Sequence, residues 1–249
     1  MLNITGPWAI SRTHPAAFQI IDSWPPDKNA IIHASALPAG DSDRQLGVED
    51  GIANIKIEGV LLKSVPSWLR SLAKSYQDIA AAVSAAVAHT DIEEIRLLVD
   101  SPGGEVAGVT LAADAVFRAR KHKPVVAEVN GTAAGTAYWI SSQASRIIAD
   151  VNSQIGGIGV YETMIDYSER DRKAGIKVVV MRSGPHKGAG IDGVTDEQIA
   201  GWQEIISAQA ETFVSDVRRG RGMNAKQWIS GQTWVARQAR KLGLIDKVV

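Results

Sequence analysis

The chain contains no cysteine. That excludes a disulfide framework, a thiolate metal site and a cysteine nucleophile. It also lacks net charge, with 27 basic and 27 acidic residues. No basic field points to nucleic acid, and no acidic block reads as a tail. No apolar run approaches the roughly 20 residues of a membrane span. The start, Met-Leu-Asn-Ile-Thr-Gly-Pro-Trp, has no basic stretch followed by an apolar one, so no signal peptide is expected. Histidines are few (His14, His33, His89, His122 and His186), and no two stand at zinc-ligand spacing. Internal repeats and low-complexity linkers are lacking too. These absences leave a soluble globular protein of 249 residues, enough for one large domain or two small ones.

What is present is alternation. Residues 97–104 read Leu-Leu-Val-Asp-Ser-Pro-Gly-Gly, and the rest of the chain is organised around them. The pattern predicts a buried strand over 95–99 that stops at Pro102, with a helix over 105–120. Upstream, 52–60 alternates as a strand does, and 76–88 is helical. Downstream, strands are expected over 124–129, 146–149 and 176–181, and after the glycines of 156–159. A short helix over 167–174 ends at Gly175. Thr195-Asp196-Glu197-Gln198 is a capping box opening a long helix with Ile199, Trp202, Ile205, Ile206, Ala210, Phe213 and Val217 on its inner face. Shorter helices follow over 225–229 and 236–242. Residues 1–50 read as an N-terminal arm, with a helix over 16–21 and loops at 25–26 and 38–44; 51–249 reads as the main domain. Strands alternating with helices predict an α/β fold with largely parallel pairing.

Several short motifs occur in a telling order. They are Asp100-Ser101-Pro102-Gly103-Gly104, then Ala133-Ala134-Gly135-Thr136-Ala137-Tyr138-Trp139, then Gly156-Gly157-Ile158-Gly159-Val160, then Ser183-Gly184-Pro185-His186-Lys187. Arg219-Gly220-Arg221-Gly222-Met223 and Ala239-Arg240-Lys241-Leu242-Gly243 close the set. From Ile52 onward the chain resembles the signal peptide peptidase A family of serine peptidases, which includes phage head maturation proteases. The resemblance implies a Clp-protease/crotonase type of fold with repeated strand–strand–helix units, and usually an oligomer. It implies a serine–lysine dyad, in which a lysine of lowered pKa takes the proton of an attacking serine. No cofactor is implied. The expected partners are a peptide or protein substrate, further copies of the chain, and phage scaffold and portal proteins, in the host cytoplasm or the procapsid.

Carried over residue by residue, Lys187 falls at the general base. Gly103, Gly104 and the N–H of Thr136 fall at the oxyanion hole. Gly135 falls at the nucleophile position and Gly157 at the position that orients the lysine. Two of the three polar side chains of such a site are therefore missing. Three explanations stay open: an inactivated variant with Gly135 in place of serine, a natural pseudo-enzyme, or attack by the neighbouring Thr136. Two other classes remain beside the peptidase. One is a non-catalytic peptide-binding or assembly module; the other is a crotonase-type acyl-CoA enzyme. Asp100 reads as a structural group, and Gly156-Gly157-Ile158-Gly159 is not a dinucleotide fingerprint, because no helical pattern follows it.

Overall fold

The computed structural model describes residues 8–10, 46–66, 69–70, 72–223 and 225–249. The helix expected over 16–21 and the loops at 25–26 and 38–44 lie outside them. Two short strands, β1 (Trp8–Ile10) and β2 (Leu46–Glu49), precede β3 (Ile52–Leu62). β4 (Ala73–Ser75) runs straight into α1 (Tyr76–Ala88), where the Ser75 side chain caps the helix by accepting from the Asp78 N–H. β5 (Glu94–Glu105), α2 (Val109–Ala119), β6 (Val125–Ala134) and α3 (Thr136–Ser141) follow. Then come β7 (Arg146–Ala149), β8 (Gln154–Gly156), α4 (Ser168–Lys173) and α5 (Asp196–Arg221). A 3-10 turn (Ala225–Trp228), β9 (Thr233–Val235), α6 (Ala236–Lys241) and β10 (Lys247–Val248) close the chain.

Among the described residues the strands form one ten-stranded sheet with the central order β10-β7-β6-β5-β3-β2. Along this path pairing is parallel from β10 to β3 and antiparallel between β3 and β2; off it, β1–β5 and β8–β9 are antiparallel too. β3, β4 and α1 form one strand–strand–helix unit of the kind the resemblance implied, with β4 parallel to β3. The architecture is thus the expected α/β one with largely parallel pairing. β3 alternates buried and half-exposed residues, and its Ala53, Ile55 and Ile57 are fully buried. They join Leu97 and Val99 of β5, and Val83 and Val116 of the packed pair α1 and α2, in one core.

α3 is buried along its whole length. Trp139 stacks on Phe213 of α5, with ring centroids 4.4 Å apart. Such a pair adds about 1 kcal/mol beyond its burial. The Trp139 indole N–H donates to Asp216 at 2.7 Å, and the Gln143 amide donates to the Asp216 carbonyl at 2.8 Å. The Tyr138 hydroxyl donates to the Leu244 carbonyl at 2.9 Å. Next to this clamp, one nitrogen of the Arg120 guanidinium faces the carbonyls of Gln143 and Ala144 at 3.3 Å and of Gly220 at 3.1 Å.

Four expectations are corrected. β5 does not stop at Pro102 but runs to Glu105, and α2 begins at Val109 rather than 105. Its ladder to β3 skips from Glu58↔Asp100 to Val60↔Gly103. Ser101 and Pro102 thus face the single residue Gly59 in a bulge, where proline's missing N–H costs nothing. No strand forms over 176–181; Val179 is 70% and Met181 96% exposed, and no sheet edge reaches this β-branched run. The strand near the second glycine cluster, β8, ends on Gly156, the first of its glycines, instead of following them. Finally, the inner face of α5 starts only at Ala210, since Ile199 and Ile205 are exposed.

Candidate active site

β6 ends at Ala134 and α3 begins at Thr136, so Gly135 alone turns the chain. It does so at φ 55°, ψ −127°, a conformation glycine takes without steric cost. A strand-to-helix turn this sharp pushes a side chain at its apex out of the sheet, which is how nucleophilic serines are presented. The Gly135 N–H donates to the Gly156 carbonyl at 3.0 Å, and its own carbonyl accepts the Trp139 N–H at 2.9 Å. These two bonds fix the turn between β8 and the first turn of α3.

Gly157 belongs to the same cluster. A Cβ built on it would stand 2.9 Å from the Gly135 nitrogen and 3.3 Å from the Ala134 Cβ. Its N–H donates to the Gln232 carbonyl at 2.8 Å. Beside it opens a cavity of about 460 Å³, walled by Val160 and Tyr161 on one side and by Gln203, Ile206 and Ser207 of α5 on the other.

Thr136 offers the site its N–H and not its hydroxyl. As the first residue of α3, its N–H is one of the donors the helix cannot satisfy. The side chain is fully buried, with Oγ1 3.0 Å from the Tyr76 hydroxyl. That phenol also lies 2.5 Å from the Glu105 carbonyl. A carbonyl only accepts, so the single phenolic proton goes to Glu105 and the Thr136 hydroxyl donates to Tyr76. Burial pushes the Tyr76 phenol far above its ordinary value, which keeps that proton in place. The Thr136 hydroxyl is thus committed to this buried chain.

Gly103 and Gly104 lie on the far side of the gap. β5 and β6 pair last at Ser101↔Ala133. Gly103 and Gly135 each lie two residues beyond that pair. Gly103 sits at φ 98°, and its N–H meets Ser101 Oγ at 3.2 Å, which in turn donates to the Gly59 carbonyl at 2.6 Å. Gly104 has a packing reason to be glycine, because a Cβ there would overlap the Leu61 carbonyl oxygen at 1.8 Å. Asp100 is structural: its Oδ1 accepts the Thr132 N–H at 2.9 Å.

Lys187 differs from the glycine cluster in its surroundings. It is exposed, its N–H donates to the Gly184 carbonyl at 3.1 Å, and it takes no part in lining the cavity beside Gly157. The stretch carrying it is held by α5. The buried Gln198 completes the capping box with Thr195 and also donates to the Pro185 carbonyl at 2.5 Å. The His186 ring lies over Gly201, where a Cβ would come within 2.9 Å. Sequence reasoning found Gln198 as a cap but not as this tether, and it missed Tyr76. Among the described residues no group of His, Asp and Glu is placed to hold a metal, and no helix is long and apolar enough to cross a membrane.

A parallel strand ends here in a sharp strand-to-helix turn, and the Gly103-Gly104 pair lies on the neighbouring strand. The chain belongs to peptidase family S49, whose profile matches residues 118–249, just over half of the sequence. It is 29% identical over 208 residues to the head-tail preconnector protein GP5 of Enterobacteria phage P21, covering 81% of this chain and 41% of that protein. It is 28% identical over 224 residues to the capsid assembly protease C of Escherichia phage lambda, covering 85% and 50%. Protease 4 of Haemophilus influenzae is 28% identical over 181 residues, covering 65% and 27%. The chain thus spans half or less of these relatives. A solved enoyl-CoA hydratase/isomerase family member aligns at 18% identity with a TM-score of 0.49, over 82% of this chain and 69% of that one.

Proposed function

We propose that the chain is a serine-type endopeptidase scaffold of the phage head maturation kind, acting on capsid-assembly proteins, with its nucleophile position held by glycine. The Gly135 turn carries this reading: it has the backbone geometry that presents a nucleophile, and it lacks only the side chain. A backbone N–H of the Gly103-Gly104 turn and the N–H of Thr136 serve as oxyanion donors, and neither needs a side chain. Peptide binding therefore survives where turnover is lost. Membership in a peptidase family favours a peptide over an acyl-CoA as ligand.

Lys187 is the base of the proposed dyad. The apolar side chains near it, Ile176, Val179, Met181 and Ile191, are all more than half exposed. Association with further copies of the chain would cover such a segment. The same glycines support one other reading, a peptide-binding or assembly module that never turns over.

The test compares the chain, Gly135→Ser and Gly135→Ser/Lys187→Ala on casein, followed by gel and mass spectrometry. Cleavage by the serine variant alone supports the dyad. Cleavage by the unaltered chain places the chemistry elsewhere. Peptide binding without cleavage in any form supports the binding module.

A further inference from the structure

The edge of β5 beside the Gly135 turn is already occupied. A strand has two edges, and at Gly103 and Gly104 one of them is taken by β3, through Val60 and Leu61. The other faces β6 only as far as Ser101↔Ala133. Beyond that pair β6 turns away at Gly135, and its last residues, 132–134, pair with β8 on their far side. A length of β5 is left with unpaired backbone groups at the level of the turn. β1 lies there, antiparallel, with Trp8 opposite Glu105, Ala9 opposite Gly104 and Ile10 opposite Gly103. The Ile10 end of β1 is thus the end nearer the last β5–β6 pair, Ser101↔Ala133, two residues before Gly135.

We propose that Trp8–Ile10 is a cis-acting pseudosubstrate strand, which fills the β5 edge that an extended peptide would otherwise join. The identity of the displaced ligand, a peptide, rests on the peptidase reading above. Main-chain bonds supply the affinity of strand addition, so a three-residue strand imitates the core of any extended peptide. Its covalent tether makes the contact intramolecular, and a free peptide competes against an effective concentration. β1 therefore acts as a gate: substrate enters when the N-terminal segment is displaced.

The absence of cysteine makes the test clean. Directly opposed residues of an antiparallel pair share a face with Cα atoms about 4.5–5.5 Å apart, within disulfide range. Trp8→Cys/Glu105→Cys in the full chain should close a disulfide on oxidation and lock β1 down. Ala9→Pro/Ile10→Pro should release it. Alternate residues of a strand face the partner, so two consecutive prolines remove an N–H from the ladder whichever residue faces β5. The probe is a fluorescein-labelled peptide copying residues 4–14, read by anisotropy, with hydrogen exchange over 100–107 measured in parallel. The proline variant should bind the peptide at least ten-fold more tightly than the parent and exchange faster. The oxidised cysteine pair should bind at least ten-fold more weakly than its reduced form. Failure of the disulfide to form, or equal exchange in parent and proline variant, overturns the gate and leaves the Gly135→Ser cleavage test untouched. Exchange that responds as expected, with no peptide bound in any form, overturns the peptide reading on which the gate rests.

Discussion

Gly157 and Gly135 meet through backbone alone: a Cβ on Gly157 would stand 2.9 Å from the Gly135 nitrogen. The position expected to orient the lysine is thus also the floor of the nucleophile turn. A side chain at 157 must either shift that turn or move away from it.

Gly157→Ser should therefore cost more than its backbone conformation alone explains. Gly175 has a similar φ, +73° against +63°, and nothing within 4 Å of its Cβ position. Gly175→Ala should cost about 1 kcal/mol from strain. Gly157→Ser should cost about 2–4 kcal/mol, adding crowding to strain. Urea midpoints of the two variants check this, and equal losses would remove the steric argument.

Gly104 offers a purely steric case. Its φ is not in the left-handed region, yet a Cβ would overlap the Leu61 carbonyl oxygen. Gly104→Ala should lower stability by about 3 kcal/mol or more, the upper end for overpacking a tight site. A thermal melt decides it; an unchanged midpoint would contradict the β3–β5 register.

The Tyr76–Thr136 pair should behave as one unit. Tyr76→Phe leaves the Thr136 hydroxyl buried without its acceptor and should cost about 1–3 kcal/mol. With Thr136→Val in place, the same change should cost about 1 kcal/mol less, because the orphaned hydroxyl is gone. A four-point cycle by chemical denaturation measures the difference. Additive losses would mean that the bond is not formed.

Asp246 ties β7 to the end of α5. It accepts from the Ile147 N–H at 2.7 Å and takes both terminal nitrogens of Arg221, at 2.9 and 2.7 Å. Burial raises its carboxyl, but these bonds and the Arg221 charge outweigh it, and the net shift is downward. A carboxylate held below its unfolded value of about 3.9 stabilises the fold fully above about pH 5. That contribution disappears as pH falls through the lowered folded value. Asp246→Asn should cost about 1–3 kcal/mol at pH 7 and show a flatter stability profile between pH 5 and pH 2. Parallel acid titrations by circular dichroism would sink this if their slopes matched.

Much of the fold is legible because local signals and tertiary context agree. α1 falls where Ile79, Val83 and Val87 recur at helical spacing, and the capping box opens α5 as written. Where they disagree, context decides. Pro102 reads as a stop, yet a bulge against Gly59 carries β5 past it. The run at 176–181 has strand composition but no neighbouring edge to pair with. The glycines of the proposed site stand out only through motif order, since each alone is an ordinary turn. Tyr76 carried no signal, because a tyrosine opening a helix reads as packing until Thr136, 60 residues away, is brought beside its hydroxyl.

The Arg120 guanidinium bears on the order in which the chain assembles. Its acceptors, at Gln143, Ala144 and Gly220, belong to two stretches of sequence that meet only once α5 has docked on α3. Until then the cation keeps its water, so the bonds close only as α5 docks. Interactions absent from a transition state act on the rate of leaving the native basin. Arg120 is therefore placed to act as a latch, and the expected outcome for Arg120→Gln is faster unfolding with refolding almost unchanged, read from the two arms of a denaturant chevron.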